Sequence, residues 1–312
     1  MPITINTNST AATASMNLTR NSEALQKSLA RLSSGSRITQ PMDDAGGLAV
    51  SMKLESSITR LAGAHTNVQN GISFLEVQDG VLESAGKVVN RMIELKGLSQ
   101  DVMKNTSDVA NYNREFQDLQ VQLFDMTAVK FNGVSVFAQF SSEPAGTEGV
   151  FGNAALDHTV SIYASAEGSS GSKVSVGKSM LLSALTIHSS TLAAAKFSDG
   201  ATAGNNINSF ASANISGAIN LADVSVGIFT QALQNVATLR ADNGASMSRL
   251  AFASDNIATT KTNMEAASGR IVDVDIAAES SRMAKYNVLV QASASMLAQA
   301  NSSSDIALML IR

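Results

Sequence analysis

Three histidines and two pairs of aspartates are the side chains of this 312-residue chain whose type and spacing first suggest metal binding or proton transfer. His65, His158 and His188 lie far apart in sequence, and none belongs to a motif with cysteine or acidic residues at metal-ligand spacing. The His-Glu-x-x-His motif of zinc hydrolases is absent. Because a metal site needs a specific set of ligands in a fixed geometry, the sequence predicts no metal and no cofactor.

The aspartate pairs are Asp43 with Asp44 and Asp273 with Asp275. Two carboxylates could act as an acid and a base, but no nucleophile or set of oxyanion donors accompanies them. Each pair precedes a segment with helical spacing, where aspartate accepts hydrogen bonds from free N–H groups and faces the positive end of the dipole. The sequence therefore predicts helix starts at these positions and a protein that is not an enzyme.

The composition of the chain excludes further kinds of site and binding partner. The chain has no cysteine, which removes disulfides, thiolate metal sites and cysteine nucleophiles together. Its formal charge of −4 is mild, and nothing in the sequence suggests the basic patch or stripe of a nucleic-acid-binding protein. The N-terminus lacks a secretory signal, and the longest apolar runs are far shorter than the ~20 residues of a membrane helix. We expect a soluble protein without nucleic-acid or membrane partners, exported, if at all, by another route.

A seven-residue repeat of apolar side chains is the strongest structural pattern. Such spacing keeps one stripe of a long helix facing a partner helix. Two further segments carry matching stripes, so the pattern predicts a long antiparallel bundle. The first column is Leu54, Leu61, Val68, Leu75, Leu82 and Val89, the second is Leu250, Ile257, Met264 and Ile271, and the third is Tyr112, Phe116, Leu119, Leu123 and Met126.

Both ends of the chain carry weaker stripes. From Tyr286 to Ser304 there is no charged residue, and serine, threonine and asparagine lower the helix propensity of both ends. We predict two terminal helices that pair with each other and are not self-sufficient. The predicted packing positions are Leu18, Leu25, Leu29, Leu32, Met283, Val290, Leu297 and Ile311.

The middle of the chain has a different pattern. "FNGVSVF" (131–137) places Asn-Gly between short β-prone runs, which predicts a hairpin. Residues 159–178 predict two strands around a Gly/Ser turn, and the small, polar stretch 197–217 predicts a loop or poorly ordered spacer. The predicted fold class is mainly α, a long antiparallel helical bundle or coiled coil with paired terminal helices and a small β-hairpin region in the middle.

Two long segments carry a family resemblance. "LARLSSGSRITQPMDDAGGLAV" (29–50) resembles the N-terminal signature of bacterial flagellins, and "SGRIVDVDIAAESSRMAKYNVLVQASASMLAQAN" (268–301) resembles their C-terminal signature. The resemblance implies a structural subunit that self-assembles into the bacterial flagellar filament for motility. In that family the paired terminal helices form an inner tube, the long helices surround it, and the variable middle, short in this chain, faces solvent.

The resemblance also implies a division of the chain. Residues 1–42 and 273–312 would be the tube helices, disordered in the monomer. Residues 43–140 would form the N-terminal long helices and hairpin of the bundle domain, and 220–272 its C-terminal helix. Residues 141–219 would be a short variable β and loop region.

Partners and location follow from the same resemblance. It implies type III export without a cleaved signal to an extracellular flagellum, with an export chaperone at the C-terminal helix. Hook-associated and cap proteins would be further partners of the homopolymer. Two alternatives remain at this point: a hook–filament junction protein of the same system, and a secreted enzyme on a flagellin scaffold, which would need a catalytic insert in the middle.

One surface constellation lies outside the stripes. Arg91 and Leu95 lie roughly 200° and 240° around the helix from Val89, so the pattern predicts that both face away from the core. With Glu115 on the next helix, they match the segment recognised by the flagellin-sensing Toll-like receptor, and the resemblance implies a subunit or receptor interface there. The alternative is a solvated Arg/Glu pair beside a stray exposed leucine.

Overall fold

The computed structural model of the chain describes residues 8–138, 159–193 and 207–311, with side chains described as far as Ser302. Six α-helices and three two-stranded antiparallel sheets form in these ranges, which confirms the predicted mainly α fold. The helices are α1 Ser9–Ser34, α2 Ala45–Ser99, α3 Thr106–Thr127, α4 Leu181–Leu185, α5 Val226–Val272 and α6 Ile276–Ile311. The strand pairs are β1 Lys130–Phe131 with β2 Val134–Ser135, β3 Thr159–Tyr163 with β4 Lys173–Gly177, and β5 Thr186–His188 with β6 Ile207–Ser209.

The chain divides into two compact units. The bundle unit comprises residues 60–259, and the terminal unit comprises residues 1–59 together with 260–312. Helices α2 and α5 contribute residues to both units, whereas α1 and α6 belong to the terminal unit alone.

In the bundle unit, α2 and α5 run antiparallel. Arg240 on α5 pairs with Asp79 on α2 at 2.9 Å, and Asn243 Nδ2 donates to the carbonyl of Leu75 at 2.9 Å. As the residue numbers rise along α5 they fall along α2, as an antiparallel pair requires. The predicted columns are confirmed within this unit, because the α2 positions from Leu61 to Val89 and the α5 positions 250 and 257 are buried.

Helix α3 completes the bundle by turning back along α2. Its first turn carries a capping box in which Asn105 accepts from the N–H of Asp108 at 2.9 Å and Asp108 accepts from the N–H of Asn105. The ring of Phe116 meets the ring of Phe229 on α5 edge-on, with centroids 5.8 Å apart. The predicted α3 stripe therefore packs against α5 through Phe116.

The predicted hairpins are confirmed. Asn132 and Gly133 both have positive φ, 48° and 83°, which is the backbone of a type I′ turn between β1 and β2. Gln78 on α2 fixes this hairpin by donating to the carbonyl of Val136 at 2.9 Å. Strands β3 and β4 pair across their whole length, and Ile162 of β3 lies directly over Gly71 of α2.

The prediction of a loop or poorly ordered spacer over 197–217 is wrong at Ile207–Ser209, which form a strand, and residues 197–206 lie outside the described residues. Ile207–Ser209 pair with β5, and Phe210 is fully buried against Phe229, with stacked ring centroids 4.8 Å apart. The apolar run at 180–187 that forms α4 and β5 was missed as well. A three-residue strand is too short to show a period, so only its partner strand and the phenylalanine cluster reveal it.

Candidate assembly surface

The terminal helices pair with each other, as predicted. Asn8 Nδ2 donates to the carbonyl of Ala300 at 2.9 Å, and Asn21 Nδ2 donates to Ser293 Oγ at 2.8 Å. Rising numbers on α1 again meet falling numbers on α6, so the pair is antiparallel. Within the described residues, no helix is long and apolar enough to cross a membrane.

The pair covers its apolar side chains only in part. The predicted packing positions on α1 and α6 are half-buried where described, except Leu29, which is 48% exposed. Three further apolar side chains of the pair, Met16, Val288 and Met296, are 50%, 65% and 67% exposed. Ile311 lies outside the described side chains. The tube-packing role of these positions therefore stays a prediction, but an uncovered apolar face for it is present.

A clasp of main-chain hydrogen bonds joins the α1–α2 turn to the α5–α6 turn. The Arg37 N–H donates to the carbonyl of Val272 at 2.6 Å, and the Val274 N–H donates to the carbonyl of Gly35 at 3.0 Å. The guanidinium of Arg37 donates to the carbonyl of Ile271 at 2.7 Å. Gly35 has φ 71°, a left-handed conformation that glycine adopts without strain where α1 ends. The two flagellin-like segments thus contact each other.

One aspartate of each pair starts a helix, as predicted, and Asp43 has a different role. Asp44 accepts from the N–H of Gly47 at 2.8 Å at the start of α2, and Asp275 accepts from the N–H of Ala277 at 3.0 Å at the start of α6. Asp43 instead pairs with Lys27 of α1 at 2.5 Å and accepts from the N–H of Thr39 at 3.2 Å. The Lys27 ammonium holds the pKa of Asp43 well below its ordinary value.

Lys27 and Arg37 were missed by sequence reasoning. Lys27 binds Asp43 on the far side of the α1–α2 turn, and Arg37 binds the distant carbonyl of Ile271. Such contacts leave no periodic pattern in the sequence. The presence of Lys27 and Arg37 inside or beside the first flagellin-like segment was the available signal.

Arg91 and Glu115 come together on the solvent side of α2 and α3. Arg91 Nε donates to Glu115 Oε1 at 2.8 Å, and Arg91 Nη1 donates to Glu94 Oε2 at 2.7 Å. These carboxylates, Glu115 first, raise the pKa of Arg91, so the guanidinium stays charged. The side chains of Arg91 and Glu115 are 41% and 42% exposed, and the pair is open to a partner.

The prediction that Leu95 faces away from the core is wrong, because its side chain is fully buried. Helix α2 is covered on two sides here. Helix α3 lies along one side, and residues 221–222 lie along the other, where Lys96 Nζ donates to the carbonyl of Leu221 at 2.7 Å. The buried arc is therefore wider than the two-column seam on which the angular argument rested.

The histidines are not brought together among the described residues. His188 Nδ1 lies 2.9 Å from Ser190 Oγ beside β5, His65 lies half-buried on α2, and His158 is outside the described residues. In the ranges that the structure describes, no group of three His, Asp or Glu side chains could hold a metal ion.

Paired and clasped chain ends with uncovered apolar side chains, in a chain that also has a well-packed helical bundle unit, define the class of a structural assembly protein. Residues 5–142 match the family model described as "Bacterial flagellin N-terminal helical region", and residues 226–311 match "Bacterial flagellin C-terminal helical region". The chain belongs to the bacterial flagellin family, which is a family of structural proteins.

Two flagellins are similar to this chain over almost its full length. A flagellin of Bacillus subtilis is 31% identical over 318 residues, covering 99% of both chains, and flagellin FlaB2 of Treponema pallidum is 31% identical over 315 residues at the same coverage. A crystal structure of Bacillus cereus flagellin, 19% identical, covers 65% of this chain and 94% of its own with a TM-score of 0.42. Nothing among these matches favours the hook–filament junction alternative.

Proposed function

We propose that α1 and α6 are the element through which this flagellin assembles, and that neighbouring copies complete their burial. The chain is a structural subunit of the bacterial flagellar filament. One observation carries the proposal for the terminal pair. Every buried hydrophobic side chain of the described residues lies between Leu61 and Ile257, and none lies on α1 or α6.

The energetic argument follows from that distribution. Fixing the backbone costs about 1–2 kcal/mol per residue, and burial of apolar surface returns about 25 cal/mol per Å². A pair that leaves Met16, Val288 and Met296 at least half exposed gains little of this return alone. Packing against further copies adds the missing area, while the exposed alanines 292, 294 and 298 allow close approach of helices. Contacts between unlike surfaces then extend as an open helical polymer.

Seeded polymerisation tests this proposal. Filament fragments are added to monomer, and elongation is followed by sedimentation while far-UV circular dichroism reports helix content. We expect helix content to rise as copies add to the seeds. We expect a variant ending at Arg282 to elongate no seeds while keeping the thermal transition of its bundle unit. Normal elongation by that variant, or unchanged helix content in the intact chain, would contradict the proposal.

Export and partners complete the proposed function. We infer export to the extracellular flagellum by the flagellar type III apparatus, with a chaperone binding α6 beforehand and hook-associated and cap proteins at the filament ends. The absence of cysteine supports this route, since no disulfide has to be opened for threading. The uncovered face of α6 supports a chaperone contact. Co-purification of the chaperone with the intact chain but not with the variant ending at Arg282 would test it.

The Arg91–Glu115 pair is proposed as a polar contact, either to a neighbouring subunit or to the flagellin-sensing Toll-like receptor. Its support is the resemblance together with the half-exposed geometry of both side chains. Leu95 enters this proposal only as a buried support of the α2 surface, because it presents no exposed area.

A further inference from the structure

Methionine sulfur is the side-chain atom of this chain that an oxidant attacks first. The chain has 13 methionines and no cysteine. Cysteine and methionine are the side chains that peroxides oxidise most readily, so without cysteine the reaction falls on methionine. The positions of the exposed methionines therefore decide which surface of the molecule an oxidant alters.

Each terminal helix carries one exposed methionine in its described part. Met16 of α1 is 50% exposed, and Met296 of α6 is 67% exposed. Both lie between the two side-chain hydrogen bonds that join α1 to α6, which start at Asn8 and Asn21. The two methionines therefore occupy the same stretch of the helix pair, and both are open to a small oxidant.

Other methionines of the same chain provide internal references. Met42 in the α1–α2 turn and Met103 in the α2–α3 turn are 86% and 88% exposed. Both are accessible to an oxidant, but neither lies on a terminal helix. Met92 on α2 is fully buried and is therefore protected. The effect of oxidation on the terminal pair can thus be separated from the effect of oxidation elsewhere.

The reaction of methionine with hydrogen peroxide transfers one oxygen atom and two electrons. A lone pair on sulfur attacks one peroxide oxygen, the O–O bond breaks as the S–O bond forms, and proton transfer releases water. Sulfur is oxidised from the thioether to the sulfoxide, and the peroxide is reduced. The product is a polar side chain in place of an apolar one. Burying its oxygen without a hydrogen-bond donor costs free energy.

We propose that Met16 and Met296 are oxidation sites through which a peroxide controls assembly of the free subunit. This inference rests on the proposed filament function, in which neighbouring copies bury the exposed side chains of α1 and α6. A sulfoxide at either position places a polar oxygen in that contact, so the oxidised subunit adds poorly to a filament. In assembled subunits the same sulfur atoms are covered and react slowly.

A partly oxidised pool of the unaltered chain tests the proposal. Monomer is treated with hydrogen peroxide until the exposed methionines are partly converted, the peroxide is removed, and the pool is elongated on isotope-labelled seeds. The label separates seed peptides from those of added monomer. Peptide mass spectrometry then gives the sulfoxide fraction at each methionine in the pellet and in the supernatant.

We expect the sulfoxide forms of Met16 and Met296 to remain in the supernatant. Their ratio of sulfoxide to thioether should be at least about tenfold lower in the pellet, which corresponds to about 1.4 kcal/mol of lost contact energy. The sulfoxide forms of Met42 and Met103 should divide equally between the two fractions, since these side chains lie outside the terminal pair.

The outcomes separate this inference from the proposed function. If untreated monomer elongates seeds and the sulfoxide forms of Met16 and Met296 divide equally, the inference is overturned and the filament function stands. Equal exclusion of the Met42 and Met103 sulfoxides would overturn it too, because it shows a general effect of oxidation on the chain. If untreated monomer elongates no seeds, the proposed function itself fails.

Two double variants provide a matched comparison, because leucine has nearly the volume of methionine and no sulfur. The readout for each chain is the ratio of its critical concentration for elongation after peroxide to that before. We expect this ratio to be at least about tenfold in the unaltered chain and equally large in Met42→Leu with Met103→Leu. It should be close to one in Met16→Leu with Met296→Leu. Equal ratios in the two double variants would contradict the assignment.

Reversal and protection are measured on the unaltered chain. Methionine sulfoxide reductases for both sulfoxide epimers should restore elongation by oxidised monomer, because the modification is reversible. In finished filaments, Met16 and Met296 should oxidise markedly more slowly than in monomer, whereas Met92 should be slow in both. Equal rates at Met16 and Met296 in the two forms would overturn the inference.

Discussion

Arg91 and Glu115 join α2 to α3 on their solvent side through a hydrogen bond of 2.8 Å. Glu94 binds the same guanidinium from one turn along α2. Exposed ion pairs contribute little to stability, typically about 0–1 kcal/mol, because water and salt screen them. The pair therefore adds little to the stability of the fold, and its proposed role as an interface contact has to be tested by binding and assembly.

Arg91→Ala should separate the two possible roles of this ion pair, in stability and in recognition. The free energy of unfolding should change by less than about 1 kcal/mol, since the side chain is exposed. Activation of cells carrying the flagellin-sensing receptor, or the critical concentration for seeded elongation, should change several-fold, because the charged contact is lost. Denaturant unfolding, a reporter-cell assay and sedimentation measure the three quantities.

The matched control is Arg114→Ala, which removes an exposed arginine next to Glu115 on α3. It should leave all three quantities near those of the unaltered chain. If Arg91→Ala leaves both receptor activation and elongation unaltered, the interface role of the pair is rejected.

Helix α3 shows how a single element can hold a long connection. Asn113, Gln117 and Gln120 lie on one face of it and bind the chain that leads into α5. Gln120 is fully buried and bonds both main-chain groups of Ile219, accepting from its N–H at 3.0 Å and donating to its carbonyl at 2.9 Å. The side-chain amides of α3 thus satisfy main-chain groups of the connection that in a sheet would bond to a neighbouring strand.

We predict that Gln120→Ala destabilises the bundle unit by about 1–3 kcal/mol, because the main-chain groups of Ile219 lose their partners in a half-buried place. Gln117→Ala should cost less than about 0.5 kcal/mol, since Gln117 makes one exposed contact of 3.4 Å to Asn220. Urea unfolding of both variants gives the comparison. Equal costs would show that the amide face does not hold the connection.

Across the whole molecule, burial is unevenly divided. The bundle unit holds every buried hydrophobic side chain of the described residues, including Phe116, Phe137, Phe210 and Phe229. On the terminal helices, the described buried residues are the polar Ser28 and Glu279. Helices with few buried apolar contacts open more easily than those in a core.

Hydrogen exchange should reveal this division in the intact monomer. We expect amides of α1 and α6 to exchange at least roughly tenfold faster than those of α2 between residues 61 and 99, because opening the terminal pair exposes little apolar surface. After polymerisation the α1 and α6 amides should slow markedly. Equal protection of both units in the monomer would contradict the assignment of the ends as assembly elements.

Much of this architecture was predictable from periodicity. The columns at Leu61–Val89 and at Leu250 and Ile257 predicted the buried seams of α2 and α5. The Asn132-Gly133 turn predicted its hairpin, because few other residue pairs adopt two positive φ angles. Strands β5 and β6 were not predictable, since three residues each show no period and their pairing joins segments distant in sequence.

The sequence by itself determined the helical bundle, the pairing of the ends and the family. The reason is that a repeated spacing and a long signature segment can be recognised in the sequence without knowing which residues pack against them. Tertiary structure decided which apolar side chains outside those repeated columns are covered. Leu95 and Val102 are both apolar residues seven positions apart, yet one is fully buried and the other is 96% exposed. The reason is that exposure depends on what packs against a helix from other parts of the chain, and a linear pattern does not record those contacts.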